Sequence, residues 1–253
     1  MTMNQKNDDL FSLRKVDDFT IISLRKGAKK ILTTVDSKEN LISVLKTISG
    51  SGETKGVAIL YSAKYPGNED YKKFMFECIE EKPSADKSRY TTTYRYAIIQ
   101  FLEIIREFPV PIVSGMNGEI GPDSLGLNLA LDLRIASENT YFLNPNLDLG
   151  LPPSSLLSYF FVRAHGPARA TEFLLTRNKF SAQEALDLCL VTEVVPEADI
   201  EKSCLEKLQA LCRVPAQTIL ETRRMLQPSM DDVKGKIDSG VQGALRSLYK
   251  LKT

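Results

Sequence analysis

The side chains best suited to move protons or hold charge cluster between positions 119 and 154: Glu119, Asp123, Asn146, Asp148 and Ser154. A carboxylate held near a reacting carbon can serve as general acid or base. Asn146 does not titrate, but it can orient water or hydrogen-bond a carbonyl. Asp148 follows Asn146 by two residues, so an extended segment would turn both side chains to one face; a solvated turn carboxylate is the plainer reading of the same residue. Pro122 lacks an N–H and fixes φ, a permissible entry to a helix. Asp123 then stands in the first turn, where the helix dipole favours negative charge. Ser154, in the run PPSS, reads as a helix cap. A serine without a histidine partner is a weak nucleophile. The only histidine, His165, lies in RAHGPAR between two helical patterns and reads as structural.

Composition narrows the chemistry further. The four cysteines (Cys78, Cys189, Cys204 and Cys212) form no CxxC pair, and there is no close Cys/His cluster, so neither a structural metal nor a disulfide framework is expected. Three of them sit in helix-like apolar surroundings, where a buried reduced thiol is the ordinary state. The net charge of +1 supplies no bulk field toward nucleic acid or membrane, so any anion site must be local. The first residues, MTMNQKNDDLF, are polar and do not read as a signal peptide. No run approaches the ~20 apolar residues of a membrane span. A reducing, cytoplasmic location is the expectation.

The elements that must position these residues follow from periodicity. Residues 19–24 read as a strand, 37–48 as a helix capped by Asp36 or Ser37, and 57–62 as a fully buried strand. Strand, helix, strand in succession predicts parallel pairing with helical crossovers. Residues 70–80 are helix-like, and 81–88 (EKPSADKS) read as a loop. Residues 92–108 form an amphipathic helix with Tyr94, Ala97, Ile98, Phe101, Leu102 and Ile105 on one face. Pro109 and Pro111 end it and open a strand at 112–114. A loop (115–122), a helix (123–131) and a strand (133–136) come next. Helices follow at 156–162, 168–175 and 182–189, then an extended piece at 191–195 and three helices at 199–213, 215–226 and 231–250. The expected class is α/β, with a sheet core over residues 1–196 and a helical region over 197–253.

The run PVPIVSGMNGEIGPDSLGLNLALDLRIASENTYFLNPNLDLGL (109–151), followed by LLTRNKFSAQEALDLCLVTEVVP (174–196), resembles the enoyl-CoA hydratase/isomerase (crotonase) family. The resemblance is in register from Asn117 through Ala136. It implies a crotonase-like spiral of ββα turns, a helical C-terminal trimerisation region, and a homotrimer or hexamer. The implied substrate is an acyl-CoA or carrier-bound thioester, with coenzyme A present only as part of the substrate and no metal. Where a hydratase of the family carries its two glutamates, this chain has Gly126 and Asn146.

The family's reaction places negative charge on a thioester oxygen, which two backbone N–H groups stabilise. By resemblance, the first donor is the N–H of Glu69 in YPGNEDYKK (65–73), and the second is the N–H of Asp123. Amide donors survive changes of side chain, because every residue but proline has one. With the glutamates absent, Asp148 is the best candidate base and Asn146 its polar neighbour. Double-bond isomerisation, which needs one proton shuttle, is favoured over hydration. The rival is a thioester-binding or assembly protein without catalysis. For coenzyme A the resemblance points to Lys26, Ala28 and Lys29 after the first strand, to Lys72, and to Tyr249 with Lys252 near the end of the chain, in an aromatic–x–x–Lys spacing that in the family reaches the adenine end of a neighbouring subunit's coenzyme A.

Overall fold

A computed structural model describes residues 10–25, 35–61, 85–227 and 229–251, without the side chains of 85–92, 245 and 248–251. Strands β1 (Phe11–Val16), β2 (Phe19–Leu24), β3 (Gly56–Tyr61), β4 (Ile112–Met116), β6 (Leu133–Ser137) and β9 (Glu193–Val195) form one sheet in the order β1-β2-β3-β4-β6-β9. Only β1 pairs antiparallel; the rest of this sheet is parallel. Three short strands, β5 (Glu119–Ile120), β7 (Tyr141–Leu143) and β8 (Lys179–Ser181), make a second sheet in the order β5-β7-β8. Helices α1 (Val35–Ser51) and α2 (Ala85–Arg106) precede β4. Then come α3 (Pro122–Asn128), α4 (Ser155–Thr176), α5 (Ala182–Asp187), α6 (Ile200–Leu211), α7 (Ala216–Leu226) and α8 (Met230–Leu251). The mixed α/β class and the parallel core agree with the sequence reading.

Alternation along the central strands assigns each residue a face. Ile21, Ala58, Val113 and Ile135 meet Ile200, Cys204 and Leu208 of α6. Ile22, Val57, Ile59 and Ile112 meet Leu41, Val44, Leu45 and Ile48 of α1 and Ile98, Leu102 and Ile105 of α2. Covered on both faces, the strands carry apolar residues at successive positions, as a parallel core requires. The helices after residue 196 share this core: α6 closes one face, and Val233 and Ile237 of α8 enter the main cluster.

The differences from expectation are local. Helix α1 begins at Val35, ahead of the Asp36 or Ser37 cap, and α2 begins at Ala85, inside the stretch read as a loop. The two helices expected at 156–162 and 168–175 are both present and meet within α4 at a kink, at Gly166, whose positive φ of 74° is non-helical, just before Pro167. Strands β1, β7 and β8 have no counterpart in the sequence reading; β1 pairs along β2 and buries Phe11 and Leu13 in the main core, and β7 pairs with β8. The helix-like stretch 70–80 lies outside the described residues.

Candidate functional site

Parallel strands deliver their loops to one edge of a sheet, and ligands in such folds gather at the carboxyl ends. Here β3 ends at Tyr61 and β4 at Met116, and α3 begins at Pro122. The loop between β4 and α3 is latched by polar groups. Asn117 Oδ1 accepts from Ser137 Oγ at 2.8 Å, its Nδ2 donates to Glu197 Oε1 at 2.8 Å, and Thr140 Oγ1 donates to the Met116 carbonyl at 2.8 Å. Helix α3 is tied back to β3 by Asn128 Nδ2, which donates to Tyr61 Oη at 2.7 Å.

Asp123 sits in the first turn of α3, behind a Gly121 N-cap with extended backbone (φ −72°, ψ 164°) and Pro122. Its N–H makes no backbone hydrogen bond among the described residues, as expected of a first-turn amide. Its carboxylate, half-buried, accepts at Oδ1 from Ser154 Oγ at 2.6 Å. Ser154 does hold the N-cap position of α4, but its hydroxyl makes no cap bond; it is spent on Asp123 instead. The expected cap is therefore corrected to a side-chain bridge between the starts of α3 and α4.

Asn146 is buried, and its Nδ2 donates to the Pro152 carbonyl at 2.7 Å, while its own carbonyl accepts from the amides of Leu149 and Leu151. Residues 145–150 form turns rather than an extended piece, so the premise that Asn146 and Asp148 face one way does not hold. Asp148 is exposed, and its Oδ1 accepts from Asn178 Nδ2 at 2.5 Å. Gly126 faces the start of α4. A Cβ there would lie 3.0 Å from both Cγ of Leu156 and the amide nitrogen of Leu157. At this position α4 fills the space a longer side chain would need.

The structure thus brings Asp123, Ser154 and the Asn146 turn together around the start of α4 and leaves Asp148 at the surface. Glu119, the other acid of the loop, pairs with Lys179 at 3.9 Å, and the Lys179 ammonium lies over the Tyr141 ring at 3.9 Å. Ser154 as the partner of Asp123, Leu156 as the plug beside Gly126, and the Asn117–Ser137 latch were not foreseen. The adjacent serines at 154 and 155 were the one sequence cue to the first of these. Glu69, Lys26, Ala28, Lys29, Lys72, Lys252 and the Tyr249 side chain lie outside the described residues. Among the described residues, no group of three or more His, Cys, Asp or Glu side chains is placed to hold a metal, and no helix is long and apolar enough to cross a membrane. Cys204 is buried under the sheet, where desolvation pushes its thiol up to about 12; Cys189 is exposed and Cys212 half-buried. His165 lies against Phe161 with ring centroids 4.7 Å apart and the rings tilted by 47°, its Nε2 buried without a hydrogen-bond partner among the described residues.

A family model for enoyl-CoA hydratase/isomerase matches residues 78–241, more than half of the chain. The chain belongs to the enoyl-CoA hydratase/isomerase family. Its relatives in this family include enoyl-CoA delta isomerase 2 of Rattus norvegicus, 26% identical over 208 residues, covering 82% of this chain and 52% of that protein. A probable enoyl-CoA hydratase of Mycobacterium tuberculosis is 32% identical over 166 residues, covering 64% of this chain and 58% of that protein. A 4-chlorobenzoyl coenzyme A dehalogenase of Arthrobacter is 27% identical over 177 residues, covering 67% of this chain and 63% of that protein. The chain thus spans between half and two-thirds of the length of these relatives. The enoyl-CoA hydratase fold from Bacillus halodurans superposes with a TM-score of 0.77 at 18% identity, covering 94% of this chain and 95% of that one. The enoyl-CoA hydratase/isomerase from Pseudoalteromonas atlantica gives 0.72 at 20%, covering 94% and 91%. These two likenesses establish the shared fold alone.

Proposed function

We propose that this member of the enoyl-CoA hydratase/isomerase family acts on an acyl-CoA thioester through an oxyanion-stabilised enolate, and that its reaction is double-bond isomerisation. The observation that carries this reading is the head of α3, where the Asp123 amide has no backbone partner among the described residues and the Asp123 carboxylate is held at one oxygen by Ser154. The second amide is that of Glu69. In the reaction, a carboxylate takes the proton from C2 of a 3-enoyl thioester. The electron pair moves onto the thioester oxygen, the amides hold that oxygen, and the same carboxylate returns the proton at C4, leaving the 2-enoyl thioester. Proton uptake neutralises the carboxylate as the oxyanion forms, so the two negative charges do not coexist. Asp123 is the carboxylate we favour for this shuttle; Asp148, exposed on Asn178, is the second candidate. Hydration needs a water held and deprotonated, usually between two carboxylates. Gly126 sits against Leu156, and the Asn146 amide is bound to Pro152, so neither position offers one.

By the same reading, coenzyme A is bound by Lys26, Ala28, Lys29, Lys72, Tyr249 and Lys252, and no metal takes part. The protein works as a homotrimer or hexamer in the cytoplasm, with residues 197–253 contributing to assembly. The exposed Met225 (84%) and Leu226 (72%) on α7 favour self-association. The closed packing at Gly126 also favours a second reading, a thioester-binding or assembly protein without turnover. Incubation with 3-enoyl-CoA of several chain lengths separates the two. The proposal expects conversion to the conjugated 2-enoyl thioester, abolished in Asp123→Asn and retained in Asp148→Ala. Loss in Asp148→Ala alone moves the shuttle to that residue. Binding without conversion at any length supports the second reading.

A further inference from the structure

The carboxyl-terminal helix α8 lies across the start of α4, the segment whose Pro152 carbonyl and Ser154 hydroxyl hold Asn146 and Asp123. A Cβ built on Gly240 would fall 1.6 Å from Ser155 Oγ and 2.6 Å from Ser155 Cβ, so only glycine lets α8 seat there. One turn on, a Cβ on Gly243 would lie 3.9 Å from Pro152 Cγ, at ordinary contact. Pro152 and Ser155 bracket the two anchoring groups: the Pro152 carbonyl receives Asn146, and Ser154 receives its place between Pro152 and Ser155 while bonding Asp123. Three further contacts press α8 onto its own chain. Val233 and Ile237 are buried in the main core, Arg95 of α2 forms a two-pronged ion pair with Asp238 (Nη2 to Oδ2 at 2.8 Å), and Lys234 pairs with Glu103 at 2.8 Å.

We infer that α8 is a positioning element of its own chain's site, and that Gly240 is the positioning residue which sets the 152–155 segment at the start of α4 and, through it, Asp123 and Asn146. This rests on the functional reading above, which places the site at Asp123. A helix start clamped by a second helix holds a carboxylate in one rotamer, whereas one released on that side lets Ser154 and Asp123 part; loosening of this kind is felt strongly where geometry controls reactivity.

Gly235, on the same helix, has no atom within 4 Å of its would-be Cβ and supplies the matched control. Both Gly→Ala changes raise helix propensity, so any difference between them reports the contact at Ser155. The test compares Gly240→Ala, Gly235→Ala and the pair Gly240→Ala/Ser155→Gly, in which the clashing side chain is removed. Amide hydrogen exchange over 123–129 and 152–159, and hexanoyl-CoA affinity by calorimetry, are the readouts. Gly240→Ala is expected to speed exchange in both segments and weaken hexanoyl-CoA by about tenfold or more. Gly235→Ala is expected to match the unmodified chain, and the pair to return toward it. Identical behaviour of the two single variants, or failure of the pair to restore exchange, overturns the inference. Should Gly240→Ala not fold, a folded pair with native exchange upholds it and an unfolded pair overturns it. Absence of hexanoyl-CoA binding in the unmodified chain counts against the functional reading instead, and exchange still decides the role of Gly240.

Discussion

Asp123 stands in the first turn of α3, and Asp132 lies four residues past its carboxyl end, yet their surroundings differ in kind. The Asp132 side chain is 13% exposed. Its Oδ1 accepts from Arg223 Nε at 2.9 Å, and its Oδ2 accepts from Arg223 Nη2 and from the Ile112 amide, both at 2.7 Å. Arg223, 5% exposed, spends its remaining donors on the carbonyls of Ile105, Phe108 and Val110. This pair joins α7 to the end of α2 and the starts of β4 and β6, and both Asp132 oxygens are engaged by protein donors. Asp123 keeps one oxygen without a hydrogen-bond partner among the described residues and borrows a single hydroxyl for the other. A buried charge is tolerated where its bonding is complete; a carboxylate meant to exchange a proton must stay reachable. Neighbouring aspartates of one motif thus divide into an anchor and a candidate reagent.

Removing the anchor is the strongest way to break this contrast. Asp132→Ala leaves the Arg223 guanidinium buried without its counter-ion, and unfolding in urea should show a loss of about 3–5 kcal/mol. Asp123→Asn keeps an acceptor for Ser154 and should change stability by less than about 1 kcal/mol. Equal losses at the two positions would erase the distinction. A smaller effect is expected at Gly126, where a methyl group meets Leu156 and the Leu157 amide. Gly126→Ala should cost about 1–3 kcal/mol by overpacking, and adding Leu156→Ala should relieve only the part due to Leu156 Cγ, because Leu156 Cβ at 3.1 Å and the Leu157 amide nitrogen at 3.0 Å stay in place. A Gly126→Ala variant as stable as the unmodified chain would show that the space beside α3 is open after all.

How much of this was legible in the sequence depends on where each interaction comes from. The parallel core was, because strands covered on both faces must be apolar at successive positions, and residues 19–24, 57–61 and 112–116 are nearly so. The head of α3 was also legible, through Pro122 followed by Asp123. The Asp148 face was not. An extended segment would turn Asn146 and Asp148 to one face, whereas the turn at 145–150, closed by the Leu149 and Leu151 amides on the Asn146 backbone carbonyl, leaves Asn146 buried and Asp148 exposed. Ser154 on Asp123 and Gly240 on Ser155 join residues 31 and 85 positions apart. Pairings of that kind arise from how helices cross and leave no periodic trace in either segment.

The mildest probe of the contrast is a buried acid that has neither a salt-bridge partner nor access to solvent. Cys204 has its thiol raised from 9.0 to about 12 by desolvation, with the carboxylates of Glu201 and Glu193 adding to the shift. The folded state therefore holds its proton where the unfolded chain releases it. The associated stability is fully present below pH 9 and is lost as pH rises toward 12. Stability measured from pH 8 to 11 should fall less steeply in Cys204→Ala than in the unmodified chain; parallel slopes would place the alkaline loss elsewhere.

The central claim, an enolate formed over the head of α3 with the Asp123 carboxylate taking the proton, is tested most directly by isotope exchange at C2 of a saturated acyl-CoA in deuterated buffer, followed by NMR. The account predicts deuterium entering C2 far faster with the unmodified protein than in buffer alone, and a fall of about 10²–10⁴-fold in Asp123→Asn. Exchange no faster than buffer at every chain length, or exchange undiminished in Asp123→Asn, would contradict it.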